Sequence, residues 1–177
     1  MNRGVRAFVR SENSVGGRVR NRKGAIAVKQ LMEIQPATSN DFRPIRGLLE
    51  TCRLPHDDPV PAHLRHFLVA RDGDRVVGIV GLEPRGDAAL LRSLAVAPER
   101  RNEGLGARLV DAIEQHARDE DLHTLYLLTT TAADYFRDRG YERIDRDALP
   151  EPIQQTQEAA RLCPSSATCM RKPLATM

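Results

Sequence analysis

The alternation of apolar and polar positions begins at Met32 and runs to the end of the chain. Residues 32–36 alternate as a strand with one buried face does. Ser39, Asn40 and Asp41 then offer a helix cap, and Ile45, Leu48, Leu49 and Cys52 line one side of a helix that ends before Pro55. Residues 55–63, PHDDPVPAH, are broken by proline and read as a loop or short helix. Two strand runs, 67–70 and 76–82, flank Arg71-Asp72-Gly73-Asp74, whose Asp-Gly step favours a hairpin. A second turn over 84–87 leads to a strand ending in the dense apolar run Leu94-Ala95-Val96, and Pro98 stops it because proline has no N–H for a ladder. These three strands predict an antiparallel meander. Leu105, Leu109, Val110, Ile113 and Ala117 form one helical face. A strand over 122–130, a short helix over 132–139 closed by Gly140, a strand over 141–144, a helical stretch over 151–162 and a strand over 166–171 complete the order.

Between the central strand and its helix stands Arg101-Asn102-Glu103-Gly104-Leu105-Gly106. Its two glycines let backbone amides approach a ligand with no Cβ between, and the free N–H groups of a helix's first turn attract anions. The loop therefore suits a phosphate. It is neither a dinucleotide turn of the form G-x-G-x-x-G nor a G-x-x-x-x-G-K-[ST] loop.

Composition adds a boundary. The 177 residues suffice for one domain with a sizeable core, and 41% hydrophobic with 29% charged residues is ordinary for a globular protein. No apolar run approaches the roughly 20 residues that span a bilayer. Three scattered cysteines, Cys52, Cys163 and Cys169, make no disulfide framework, and no secretory signal precedes them, so a reducing cytoplasm is expected. The net charge of +3 hides an asymmetry: residues 1–31 carry eight basic side chains against Glu12 alone, which leaves the remainder acidic. With few large apolar residues and no periodicity, 1–31 is expected to be a disordered basic extension. It reads either as a nucleic-acid arm or transit peptide, or as residues ahead of a true start at Met32. His56, His63 and His66 with Cys52 match no zinc spacing, so no metal is expected.

The sequence R-x-x-G-x-G directly after L-A-V-A-P resembles the acetyl-CoA pyrophosphate loop of GNAT N-acetyltransferases, and the order of elements over 32–174 is similar to that family's. The resemblance implies an α/β fold, with a mixed central sheet containing a splayed strand pair and flanked by helices. It implies that the backbone around Leu94, Ala95 and Val96 pairs with pantetheine, and that Arg101, Asn102, Glu103, Gly104, Leu105, Gly106 and Ala107 cradle the pyrophosphate. Further likenesses narrow the branch. The stretch 127–141 with D-A-L-P-E at 147–151 resembles the acetyltransferase domain of N-acetylglutamate synthases. G-L-E-P at 81–84, L-L-R-S-L-A-V at 90–96 and L-C-P-S-S-A at 162–167 resemble bacterial arsenic-resistance N-acetyltransferases. An amino-acid-like amine acceptor is implied, arsenic-bearing ones included, with no membrane or nucleic-acid partner expected and a homodimer compatible with the reading. Protein N-terminal or lysine acetylation and a non-catalytic acetyl-CoA sensor are the alternatives.

Acetyl transfer to an amine needs a base, donors for a developing oxyanion and an acid for the thiolate. Glu83, at the end of its strand beside the expected cleft, is the candidate base, against a solvated turn residue. The Leu94 amide is a candidate donor. Many family members carry a tyrosine acid at the second position of F-Y-E-x-x-G-F, where this chain has Phe136. Tyr135 is the candidate acid, one residue and about 100° round the helix. Tyr126 or a water is the substitute. Arg92, among leucines, must face a cleft or a carboxylate, since an unpaired buried charge is costly. With Ser93 it is the candidate for holding a substrate carboxylate, with structural pairing to Glu83 as the other reading. The cysteines could hold trivalent arsenic or simply fill the core.

Overall fold

The computed structural model describes residues 32–56 and 61–175. The expectations for 1–31 and for part of the proline-rich loop lie outside these. Seven strands form one mixed sheet in the order β1-β2-β3-β4-β5-β7-β6: β1 Glu33–Pro36, β2 Phe67–Asp72, β3 Arg75–Arg85, β4 Ala88–Val96, β5 Thr124–Thr129, β6 Glu142–Ile144 and β7 Thr168–Pro173. The helices are α1 Phe42–Thr51, α2 Leu105–Asp119, α3 Ala133–Arg137 and the single turn α4 Glu151–Gln154. Every strand pair is antiparallel except β4 with β5.

The β2–β4 meander forms as its turns dictate, with Gly73 and Gly86 at φ +59° and +67°, which a side chain would resist. β3 is longer than its apolar run suggests. It continues through Glu83 and Pro84, which pair with Leu90 and Ala89, so Glu83 lies inside a strand and not at its end. Ser39–Asp41 forms a 3₁₀ turn and not a simple cap. The Asp41 carboxylate accepts from the Thr38 N–H at 2.7 Å and hydroxyl at 2.9 Å, and Arg71 pairs with its other oxygen.

Two local departures shape the site. Arg92 pairs with Gly81 and Ala95 with Ile79, so Ser93 and Leu94 together oppose Val80 in a β-bulge, with Ser93 at φ +59°. The parallel pairing of β4 with β5 covers only Ala88, Ala89 and Leu90 against Thr124, Leu125 and Tyr126, and beyond these residues the two strands part.

The apolar faces of α1 and α2 cover the sheet through Ile45, Leu49, Leu105, Leu109 and Ile113, all buried. Glu114 shares the buried face of α2. It accepts the Tyr141 hydroxyl at 3.1 Å and Lys172 Nζ at 2.8 and 2.7 Å, which ties the helix to β7. Burial, and then the Glu114 charge, push the Tyr141 hydroxyl's pKa far up. Gly140, at φ +86°, closes α3, and the Tyr141 N–H bonds back to the Phe136 carbonyl at 3.0 Å. The helical stretch expected over 151–162 is interrupted. The Thr156 hydroxyl donates to the Ile153 carbonyl at 2.8 Å and accepts the Ala159 N–H at 3.2 Å, competing with the helix ladder. The chain resumes as a π-turn, Glu158–Leu162, in which the Cys163 N–H reaches the Glu158 carbonyl at 2.9 Å.

Candidate active site

The end of β4 and the glycine loop, with Cys52, Leu54 and Tyr135, enclose a groove of about 480 Å³. Its walls include Leu94, Ala95, Val96, Arg101, Asn102, Gly104, Leu105, Gly106 and Ala107, so of the ten loop and strand residues expected here only Glu103 stands aside. Glu103 lies 3.8 Å from Arg100, itself a groove residue. Backbone geometry explains the loop's shape: Asn102 and Gly104 adopt φ +63° and +77°, which turns the chain sharply into α2. The first bond of the helix runs from the Arg108 N–H to the Gly104 carbonyl at 3.2 Å. The N–H groups of Leu105, Gly106 and Ala107 therefore precede the ladder and carry the positive end of the helix dipole. A Cβ on Gly104 would meet nothing within 4 Å, so its glycine answers to φ alone. A Cβ on Gly106 would stand 3.3 Å from the Tyr135 hydroxyl, in the floor of the groove. With Arg100 and Arg101 on the rim, this cradle fits a pyrophosphate. The Val96 carbonyl already accepts Arg101 Nε at 3.2 Å and the Cys52 thiol at 3.6 Å.

A second cavity, of about 170 Å³, opens deeper between β4 and β5. Leu54 and Leu94 line both spaces, so the two meet at the bulge. Arg92, Ser93 and Phe136 face the smaller cavity. Arg92 is 3% exposed. Its NH1 lies 3.1 Å from Glu83 Oε2 and its Nε 3.3 Å from Glu158 Oε2, and Nε also approaches the Ser93 hydroxyl at 3.4 Å. Arg85 pairs with the other oxygen of Glu83.

The sequence candidates thus separate. Glu83, 8% exposed, is held between two arginines and lines neither space. Both alternatives for Arg92 coexist: it is paired with Glu83 and it faces the cavity. At 37% exposure Tyr135 lines the larger groove beside Gly106, with Arg139 over its ring, and burial raises its hydroxyl pKa. Tyr126 is buried in the sheet's second apolar cluster and lines neither space. The residue of that helix that faces the smaller cavity is Phe136.

Glu158 is not among the residues that sequence reasoning singles out. It sits in a polar, glutamine-rich stretch where a glutamate attracts no notice, and only the adjoining L-C-P-S-S-A resemblance points to the region. Among the described residues no group of three His, Cys, Asp or Glu side chains is placed to hold a metal, and no helix is long and apolar enough to cross a membrane.

The family model described as acetyltransferase (GNAT) matches residues 29–144. An amino-acid acetyltransferase of Pseudomonas fluorescens is 47% identical over 64 residues, 36% of this chain and 15% of that protein. That of Pseudomonas paraeruginosa is 40% identical over 85 residues, 47% of this chain and 19% of that protein. The chain therefore spans less than a fifth of the length of these two relatives. N-acetylglutamate synthase from Neisseria gonorrhoeae, complexed with coenzyme A and N-acetyl-glutamate, aligns with a TM-score of 0.71 at 23% identity over 81% of this chain and 35% of that one. A Mycobacterium tuberculosis protein in complex with CoA gives 0.69 at 23% identity, over 81% of this chain and 99% of that one. These last two likenesses show a shared fold.

Proposed function

The chain belongs to the acetyltransferase (GNAT) family, and from that premise we propose that it is an acetyl-CoA-dependent N-acetyltransferase that acetylates the α-amino group of a small amino acid or amino-acid analogue. The observation that carries the reading is the junction of the two spaces: a groove suited to a pyrophosphate leads past Leu94 into a small cavity holding a buried arginine. Bound acetyl-CoA would supply an activated thioester: the acceptor's neutral amine forms the C–N bond as the C–S bond breaks, and CoA leaves as a thiolate that takes up the proton the nitrogen loses.

The chain's own residues do the rest. The amides of Leu105, Gly106 and Ala107, with Arg101, hold the pyrophosphate. The bulge at Ser93 and Leu94 takes the Leu94 amide out of regular pairing with β3 and frees it to polarise a carbonyl. Arg92 holds the acceptor carboxylate, and Glu83 fixes Arg92. Tyr135, beside the loop, contributes to cofactor binding more than to protonating the thiolate.

Removing an amine's charge would stop an amino-acid mimic from fitting its target, and arsenic- or phosphorus-bearing amino acids belong to the acceptor class we propose. The catalytic domain in this reading is 32–177, which clusters as one compact unit, working in the cytoplasm, with 1–31 as a basic extension.

The test is release of CoA thiol by the full chain with acetyl-CoA and a panel of glutamate, other amino acids, arsenic- and phosphorus-bearing amino acids and lysine peptides. Turnover with a free amino acid or analogue supports the proposal. Turnover with peptides alone refutes it in favour of protein acetylation, and binding of acetyl-CoA with no turnover refutes it in favour of a sensor.

A further inference from the structure

The smaller cavity has two charged walls among the described residues, Arg92 and Glu158, and they are adjacent: Arg92 Nε lies 3.3 Å from Glu158 Oε2. Both are buried, at 3% and 8% exposure. Glu83, the other carboxylate on Arg92, lies behind it and does not reach the cavity. Glu158 is the first residue of the π-turn, where the helical stretch resumes after Thr156. Such turns recur at functional sites.

A buried ion pair on a cavity wall selects for charge pattern. A ligand with net charge would leave one excess charge in a weakly hydrated space, and a neutral apolar ligand would strip water from both partners with no return. A zwitterion does neither. The head group of an α-amino acid carries an ammonium and a carboxylate on one carbon, and laid against the pair in the opposite sense it sets each charge against its complement.

Resting on the proposed function and deepening it, we propose that Glu158 binds the acceptor's α-ammonium, and that Arg92 and Glu158 together make the enzyme specific for zwitterionic α-amino acids over amines and lysine side chains. Glu158 is then the residue that sets an amino acid apart from the hydroxy acid of the same shape.

The test uses the full chain and two matched sets: L-glutamate, 2-hydroxyglutarate and 4-aminobutyrate, and L-alanine, lactate and ethylamine. Wild type is expected to acetylate an amino acid and not the matching amine, with the hydroxy acid a weak competitive inhibitor. Glu158→Gln should raise the amino-acid KM at least 10-fold, leave the acetyl-CoA KM within about twofold, and leave hydroxy-acid inhibition unchanged or tighter, since that ligand has no ammonium and its carboxylate no longer meets the Glu158 charge. Glu158→Asp, which keeps the charge, should recover part of the loss and guards against a fold defect in the first variant. The proposal is overturned if Glu158→Gln leaves the amino-acid KM unchanged, or if amino acid and hydroxy acid weaken by the same factor, as a purely structural role would produce. Wild-type turnover of amines or peptides alone overturns the proposed function, and this inference with it.

Discussion

Gly104 offers the sharpest test of the pyrophosphate loop, because the structure separates backbone strain from steric clash there. Its φ is +77°, and a Cβ would meet nothing within 4 Å. A side chain therefore costs conformational energy and nothing else. The left-handed region costs an ordinary L-residue about 1–2 kcal/mol, and asparagine tolerates it best. Residues 101–104 are all exposed, so a strained loop can relax in the free protein at little expense. The penalty then falls on binding, which must restore the amide directions at the start of α2. At 1.4 kcal/mol per factor of ten, Gly104→Val should weaken acetyl-CoA binding about 5- to 30-fold, and Gly104→Asn by threefold or less. Isothermal titration with acetyl-CoA reads both, and a melting curve for each variant checks that the domain is intact. If the valine variant binds within twofold of wild type, or the two variants lose affinity equally, the loop does not work through its backbone shape and the assignment fails.

Arg92→Ala leaves buried Glu158 without that cation while Glu83 keeps Arg85, a loss of about 3 kcal/mol, so Tm should fall by about 10 °C in calorimetry. A fall of less than about 2 °C would mean that the cluster is well hydrated. Arg92→Lys keeps the charge but loses the planar fork, and should raise acceptor KM while acetyl-CoA KM stays put. Tyr135→Phe should weaken acetyl-CoA binding a few-fold and change turnover by no more than about threefold; a roughly 100-fold slower turnover at unchanged affinity would restore Tyr135 as the thiolate's acid. The Cys163 thiol is pushed up to about 11, mainly by burial and then by the Glu158 charge. An acid with a raised pKa stays protonated through neutral pH, so only about one in 1,000 copies of Cys163 is thiolate at pH 8. Iodoacetamide should label it slowly in the folded protein at that pH and faster as pH approaches 11, with peptide mapping as the readout.

Features that depend on near neighbours were legible in the order of residues. Apolar spacing set the strands and α2, Gly73, Gly86 and Gly140 set turns and a helix end through positive φ, and the phosphate loop came from two glycines at a helix start. The tertiary structure decided which side chains share a space. Glu83 looked like a strand-end base, but pairing carried β3 on to Arg85 and set Glu83 behind Arg92. Tyr135 and Phe136 differ by about 100° on one short helix, and only the packing of α3 fixed which of them faces the groove and which the cavity. Glu158, at the start of the turn that resumes after the Thr156 interruption, meets Arg92, far earlier in the chain. Periodicity cannot announce such a meeting, since a glutamate in a polar stretch reads as a surface charge, and its burial beside a partner is chosen by the fold.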